Sequence, residues 1–318
     1  MRIGINSSMG KNLFPIGIAG AMVLGELFSS CNEDYAPKVV TIPEYGVDLG
    51  GHKGVNLGLP KTAENKTIYW ATFNLGANSA DDYGDSYAWG AITTWYNQPV
   101  NWVTYSVPGT QPTISSWKGD SSYTMEYAPY YDKGLRKYTK YTTNGTLSME
   151  DDAIHVLWGG NWRMPTIEEF VDLKTNCYWE WTYDYLQDGR GISGFIVYKA
   201  KDESDKGVAR HYDGIYWKSQ ENRSERELSN NPLKGSYNIT NSPHIFLRAE
   251  GCFEKRTFHI GDEECVFGDY WTSSINAHSH DEPKDGYAYT CMMANDAVKF
   301  DIWFPRYLGM AIRGICVQ

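Results

Sequence analysis

Alternation of apolar and polar positions divides this chain into short strands, with helical spacing in only two places. "TIYWATFN", Thr67 to Asn74, is β-branched and aromatic and predicts a strand. "SYAWGA", Ser86 to Ala91, predicts another after the turn-rich "GANSADDYGD". "CYWEWTY", "GISGFIVYKA", "HIFLRAEGCF" and "DYWTSS" predict four more. The end predicts a β-meander: "GYAYTCMM", a turn at Ala294-Asn295-Asp296, "AVKFDIWF" and "GMAIRGICVQ". Val298, Phe300, Ile302 and Phe304 alternate onto one face.

The first helical stretch is "SMEDDAIHVLWGG". Ser148 is positioned to cap it, and Asp151 and Asp152 suit the positive end of its dipole. Ile154 and Leu157 fall on one face, and Gly159 and Gly160 stop the helix. The second is "RMPTIEEFVDLKTNC". Thr166 and Glu169 have capping-box spacing, and Pro165 holds the approach extended. Ile167, Phe170, Val171 and the stem of Lys174 share a face. Two segments interrupt the pattern. Residues 94–147, with "YNQPVNW", "SVPGTQP" and "YAPYYDKG", read as long loops with few strands. Residues 201–242 are polar and charged and read as an insertion.

The start changes the picture. Arg2 and Lys11 precede an apolar run from Leu13 to Gly25 that Pro15 breaks. It is too short to span a bilayer comfortably and reads as a signal peptide, residues 1–30. Ser29 and Ser30 lead to Cys31, an arrangement that resembles a bacterial lipobox; a plain secretory signal with an incidental cysteine is the alternative. Asn32-Glu33-Asp34 resembles the export tag of Bacteroidetes surface lipoproteins; an ordinary polar tether is the alternative. Residues 31–46, with Pro37 and Pro43, read as a tether. The expected address is the outer membrane and the cell surface, with the lipid bilayer as a partner through acylated Cys31. Removing residues 1–30 takes away Arg2, Lys11 and Glu26, leaving 27 basic against 38 acidic residues, a net −11. That charge argues against nucleic acid as a partner. Five cysteines then remain, and Cys252 and Cys265, flanking "FEKRTFHIGDEE", form the candidate disulfide. No pair has CxxC spacing, so no zinc ribbon is expected.

"YWATFNLGANSADDYGDSYAWG", "DDAIHVLWGGNWRMPTIEEFVDL", "NCYWEWT", "GISGFIVYKA", "YWTSS" and "IRGICV" occur in an order that resembles the Fibrobacter succinogenes major paralogous domain. The resemblance covers residues 47–318 with the two insertions. "WRMPTIEEF" also resembles the helix start of C-type-lectin-like folds, including the formylglycine-generating enzyme group. The resemblance implies an α+β, C-type-lectin-like domain with mixed and antiparallel sheets, two short helices and long loop insertions. Trp158, Trp162, Arg163, Pro165, Thr166 and Glu169 would then brace a helix against a sheet, with Arg163 bonded to carbonyls or a carboxylate and the glycines allowing close backbone approach.

Candidate chemistry is sparse. Asp151, Asp152 and His155 suit a helix start better than an acid–base set. "HSHDE", His278 to Glu282, has metal-ligand residue types but sits in a polar loop, so no metal site is expected. True C-type lectins bind calcium through Glu-Pro-Asn or Gln-Pro-Asp and Trp-Asn-Asp. Gln98-Pro99-Val100 lacks a ligand, and a hairpin turn explains Asn295 and Asp296. Cys291 and Cys316 are too far apart for the cysteine pair of the formylglycine-generating relatives and read as core positions. No GxSxG, HExxH or P-loop appears, so no cofactor is expected. The chain has 12 Trp and 24 Tyr, and several lie outside the recognised motifs. Trp95, Trp102, Trp117, Tyr130 and Tyr131 are the candidate ligand-binding aromatics, suited to stacking on sugars or packing on a protein; a loop that folds on its own aromatics is the alternative. The expectation is a non-catalytic, lectin-like binding or adhesion domain for glycan or protein ligands. The alternatives are a structural or accessory subunit of a surface assembly, such as a pilus tip or glycan-uptake complex, and an enzyme with an unrecognised site.

Overall fold

The strand expected at Thr67–Asn74 forms at Ile68–Ala71, and its partner comes from the far end of the chain. Ile315, Cys316 and Val317 pair antiparallel with Trp70, Tyr69 and Ile68. The computed structural model describes residues 40–94, 102–105, 113–117, 128–219, 225–228, 232–249, 252–254, 257–259, 267–276, 286–295 and 297–318. All belong to the compact unit Lys38–Gln318. The terminal pair centres a five-stranded sheet in the order Val47–Asp48, Lys53–Val55, Ile68–Ala71, Ile315–Val317 and Trp162–Arg163. The "WR" of the tryptophan-rich motif is thus an edge strand against the C-terminal strand.

A six-stranded sheet runs Glu225–Leu228, Tyr216–Ser219, Val208–Arg210, Cys177–Thr182, Gly194–Lys199 and His244–Arg248. Only the pairing of Val208–Arg210 with Cys177–Thr182 is parallel. Phe267–Asn276, Tyr287–Ala294 and Ala297–Pro305 form an antiparallel meander. The architecture is α+β and mostly sheet, with two α-helices among the described residues: α1 (Ala153–Trp158) and α2 (Ile167–Asn176). No helix among these residues is long and apolar enough to cross a membrane.

Helix α2 forms where its spacing predicts, and both halves of the Thr166–Glu169 capping box are made. It buries Ile167, Phe170 and Leu173 against Trp70, Trp179 and Tyr270. Each such side chain contributes about 1.5–3 kcal/mol on full burial. Lys174 is buried with them. Its ammonium donates to the Val298 carbonyl at 3.0 Å and sits 5.6 Å from the Phe300 ring centroid. A second core gathers Trp89, Trp162, Trp271 and Met310, and a third Tyr178, Tyr185, Tyr198 and Phe246. Arg313, fully buried, links the terminal sheet to the six-stranded sheet. It donates to Asn74 Oδ1 at 2.7 Å, to Ala71 O at 3.0 Å and to Phe246 O at 2.7 Å. Asp269 in the meander is different. It is fully buried, neither carboxylate oxygen has a hydrogen-bond partner, and burial pushes its pKa up to about 8.

Several expectations need correction. Ser148 makes no cap; it precedes a 3₁₀ turn, Met149–Asp151, and Asp152 caps α1 by accepting from His155 N at 3.1 Å. Ile154 is buried but Leu157 is half exposed, because a six-residue helix turns only part of one face inward. "SYAWGA" makes one isolated bridge, Tyr87 to Met310, because Gly90 (φ +79°) turns the chain away. "HIFLRAEGCF" divides into His244–Arg248 and a separate hairpin strand, Cys252–Glu254. "GMAIRGICVQ" leaves the meander after one bridge, Tyr270 to Ala311, and ends in the terminal sheet.

The segment 201–242 is an integral part of the six-stranded sheet and supplies three of its strands. Those strands are three or four residues long, too short to show a period amid polar neighbours. Buried Asp205 holds the segment's return, accepting from Lys234 N and Gly235 N at 3.0 Å each and from the Tyr237 hydroxyl at 2.6 Å. At the other end, Val40, Ile42 and Tyr45 pack partly against the cores, so the last residues of the expected tether lie on the body.

Candidate functional site

The motif "WGGNWRMPTIEEF" is built around Glu169. Its carboxylate accepts from Arg163 Nη1 at 2.8 Å and Nη2 at 2.6 Å, and from Thr166 N at 2.8 Å. Arg163 also donates to the Met164 carbonyl at 3.0 Å, as the resemblance implied for this residue. Asp152 accepts from Met164 N at 2.7 Å, tying α1 to the same junction. Burial raises the Asp152 pKa, and backbone amides offset only part of the rise. His155 Nδ1 bonds the Trp162 carbonyl at 3.2 Å. The acid–base candidates in this region are therefore all in structural bonds.

The two tryptophans hold a hairpin. Asp48 Oδ1 accepts from Gly50 N at 3.1 Å and Gly51 N at 3.0 Å, forming the turn that ends at His52. Trp162 Nε1 donates to Leu49 O at 2.7 Å. Trp158 stacks on the His52 ring at 4.2 Å and meets Trp162 edge-on at 5.1 Å. Close approach comes from glycines other than those in the motif. A Cβ on Gly314 would lie 2.9 Å from Trp158, and one on Gly54 would lie 3.3 Å from Trp162. Gly159 and Gly160 instead serve the turn, at φ +71° and +59°.

Tyr130, a candidate ligand aromatic, is committed to a local network. It donates its hydroxyl to Asp151, as do Tyr141 and, at 3.0 Å, Ser148; the Lys140 ammonium pairs with the same carboxylate. Burial alone would raise the Asp151 pKa, but Lys140 and the three hydroxyls outweigh it and hold the carboxyl below its ordinary value. Tyr130 and Tyr141 both sit at positive φ, +66° and +60°. That conformation costs about 1–2 kcal/mol per residue, and the shared carboxylate offsets it. Tyr131 is a register partner of Tyr138, and their rings meet edge-on at 5.3 Å. Trp102 and Trp117 are register partners on a hairpin, Trp102–Tyr105 with Thr113–Trp117. Trp95, Cys31, Cys265, Asp296, Gln98-Pro99-Val100 and His278–Glu282 lie outside the described residues. Cys252 begins a short hairpin strand. Cys177, Cys291 and Cys316 are free and buried, and burial pushes each thiol up, the state of inert core cysteines. Among the described residues no group of three or more His, Cys, Asp or Glu is placed to hold a metal.

A cavity of about 490 Å³ opens beside the hairpin that the tryptophans hold. Ile42–Gly46, Gly51–Lys53, Ser79–Asp81 and His244–Phe246 form its walls, with Val55, Thr72, Phe73, Tyr185 and Leu186. Its floor is nearly closed to solvent: Val55, Tyr185, His244 and Phe246 are at most 5% exposed. Tyr185 stacks on Phe246 at 4.0 Å. His244 Nδ1 bonds Ser242 O at 2.8 Å, so it carries the proton, and Nε2 accepts from the Tyr185 hydroxyl at 2.9 Å. Burial lowers the pKa of His244 and of His52, which keeps both rings neutral. The Tyr45 hydroxyl is buried without a hydrogen-bond partner. At the rim, Lys53 pairs with Glu44, and Asp81 with Arg190 at 2.9 Å. The Lys53 hydrogen bond draws the Glu44 pKa below its ordinary value. None of these residues carries a local sequence signal, since the cavity is assembled from segments some 200 residues apart. No protein-family model, no curated protein and no solved structure matches the chain.

Proposed function

We propose that this is a cell-surface lipoprotein, anchored through Cys31, whose C-type-lectin-like domain binds glycan or protein ligands without transforming them. The observation that carries the reading is the cavity, with its rigid aromatic floor and its hydrogen-bonding rim. Small-molecule sites commonly have volumes of about 300–1,000 Å³, apolar walls and a few placed polar groups. The bonding of Asp151, Asp152, His155, Arg163 and Glu169 supports binding over catalysis, because the last four are engaged within the tryptophan-motif junction and Asp151 within the Tyr130–Tyr141–Lys140 network. The bracing role of the tryptophan-rich motif supports the lectin-like reading of the fold, and the ordered motifs support membership of the major paralogous domain family.

The test is a glycan array together with a protein pull-down on the purified protein lacking residues 1–30. Enrichment of a defined glycan or partner is expected; turnover of an arrayed glycan without retention would overturn the reading. Lipidation is tested by metabolic labelling with a fatty-acid probe. The wild type should label, and a Cys31→Ala variant that still labels removes the anchor from the proposal.

A further inference from the structure

We infer that the cavity beside the Asp48–Lys53 hairpin is a binding site for one neutral sugar ring, the terminal unit of a glycan chain. This rests on the binding reading above and names the ligand of that site. Charge selects the class. The lining carries Glu44, Asp81 and Lys53, and each is already in an ion pair, Glu44 with Lys53 and Asp81 with Arg190. An anionic ligand would have to draw Lys53 from its carboxylate, and a cationic one would have to displace Lys53 or Arg190. Both lining imidazoles are held neutral by burial. A neutral ligand meets no such cost.

Shape and hydrogen bonding then favour a sugar over a purely apolar molecule. A pyranose ring has an apolar C–H face, which packs well on aromatic rings. Tyr45 and Phe73, half-buried in the walls, supply the aromatic surface, over a closed floor that the bond from Tyr185 to His244 fixes. The opposite edge of the ring presents hydroxyls, each both donor and acceptor. At the rim Lys53 and Glu44 place an ammonium donor beside a carboxylate acceptor, which matches two adjacent hydroxyls. Ser79 and Thr72, two hydroxyl residues, also line the cavity. A greasy side chain would leave this rim unused.

Saturation-transfer NMR on the purified protein tests the assignment. The probes are methyl glycosides of the neutral hexoses, pentoses and 6-deoxyhexoses, with sialic acid and glucosamine as charged comparators. The variants are Lys53→Ala, which removes an exposed rim donor, and Ala80→Trp, which fills the cavity; circular dichroism and melting temperature report whether each folds. At least one neutral glycoside should give saturable transfer, weakened tenfold or more in Lys53→Ala and abolished in Ala80→Trp. The inference is overturned if no neutral glycoside binds, if a charged sugar binds more tightly, if binding survives in folded Ala80→Trp, or if Lys53→Ala binds as the wild type does. An array or pull-down that stays positive with both variants sinks this assignment and leaves the binding reading standing. An array and pull-down that return nothing sink the binding reading itself.

Discussion

Replacing Asp269 with asparagine should make the protein more stable, and the gain should grow with pH. Asp269 is fully buried with neither oxygen bonded, and its pKa is pushed from 3.8 to about 8 by burial alone. Between those two values the folded protein keeps a proton that the unfolded chain has released. The native state then binds more protons than the unfolded state, so stability falls as pH rises. Below pH 3.8 both states are protonated, and above about 8 both are ionised, so the slope vanishes at each end. Within the window each pH unit is worth about 1.4 kcal/mol. From pH 5.5 to 7.5 the wild type should lose about 3 kcal/mol relative to Asp269→Asn, which keeps the shape and cannot ionise. Urea midpoints and slopes for both proteins at pH 5.5, 6.5 and 7.5 give the difference directly. Every other titrating group is common to both and cancels. Parallel stability curves would mean that the folded state does not hold this proton, and the argument from burial would be wrong.

Three further outcomes follow from the packing. Thr166→Ala removes one half of a capping box and should cost about 1 kcal/mol, read as a lower denaturant midpoint; an unchanged midpoint would show that the cap contributes nothing. Gly314→Ala places a methyl 2.9 Å from Trp158 and 3.1 Å from Ile154 and should destabilise by about 1–3 kcal/mol, whereas a neutral effect would mean that the tryptophan junction yields freely. His244 is neutral in the fold with a lowered pKa, so its contribution is intact above pH 6.5 and is lost as pH falls below it; His244→Gln should flatten that part of the acid-unfolding curve, and an unchanged curve refutes the assignment.

Local rules made parts of this fold legible. The α2 cap could be read because Thr166 and Glu169 satisfy each other's amides within four residues, a bond set that needs no distant partner. The strands at Cys177–Thr182 and Gly194–Lys199 could be read because apolar residues dominate them. Legibility failed where the deciding contact was remote. Asp152, and not Ser148, caps α1 because the same carboxylate also reaches Met164 N, which sequence spacing does not show. The strands of segment 201–242 depend on an existing edge, Cys177–Thr182, and on Asp205, a charged residue that composition assigns to solvent.

The cavity is the extreme of this dependence. Its walls come from parts of the chain joined by the pairing of Ile315–Val317 with Ile68–Ala71 and by Arg313, which links Ala71 to Phe246 across the two sheets. The one legible sign was indirect. Trp162 bonds the Leu49 carbonyl and Trp158 stacks on His52, and His52 lines the cavity. The tryptophan-rich motif therefore acts one layer behind the cavity lining. Changes to it should alter binding only by loosening that wall, and so should lower stability as well. Lys53 and Ala80 line the cavity, so changes to them would act on a bound sugar directly. That division between wall and lining is why the binding test rests on the rim and not on the tryptophans.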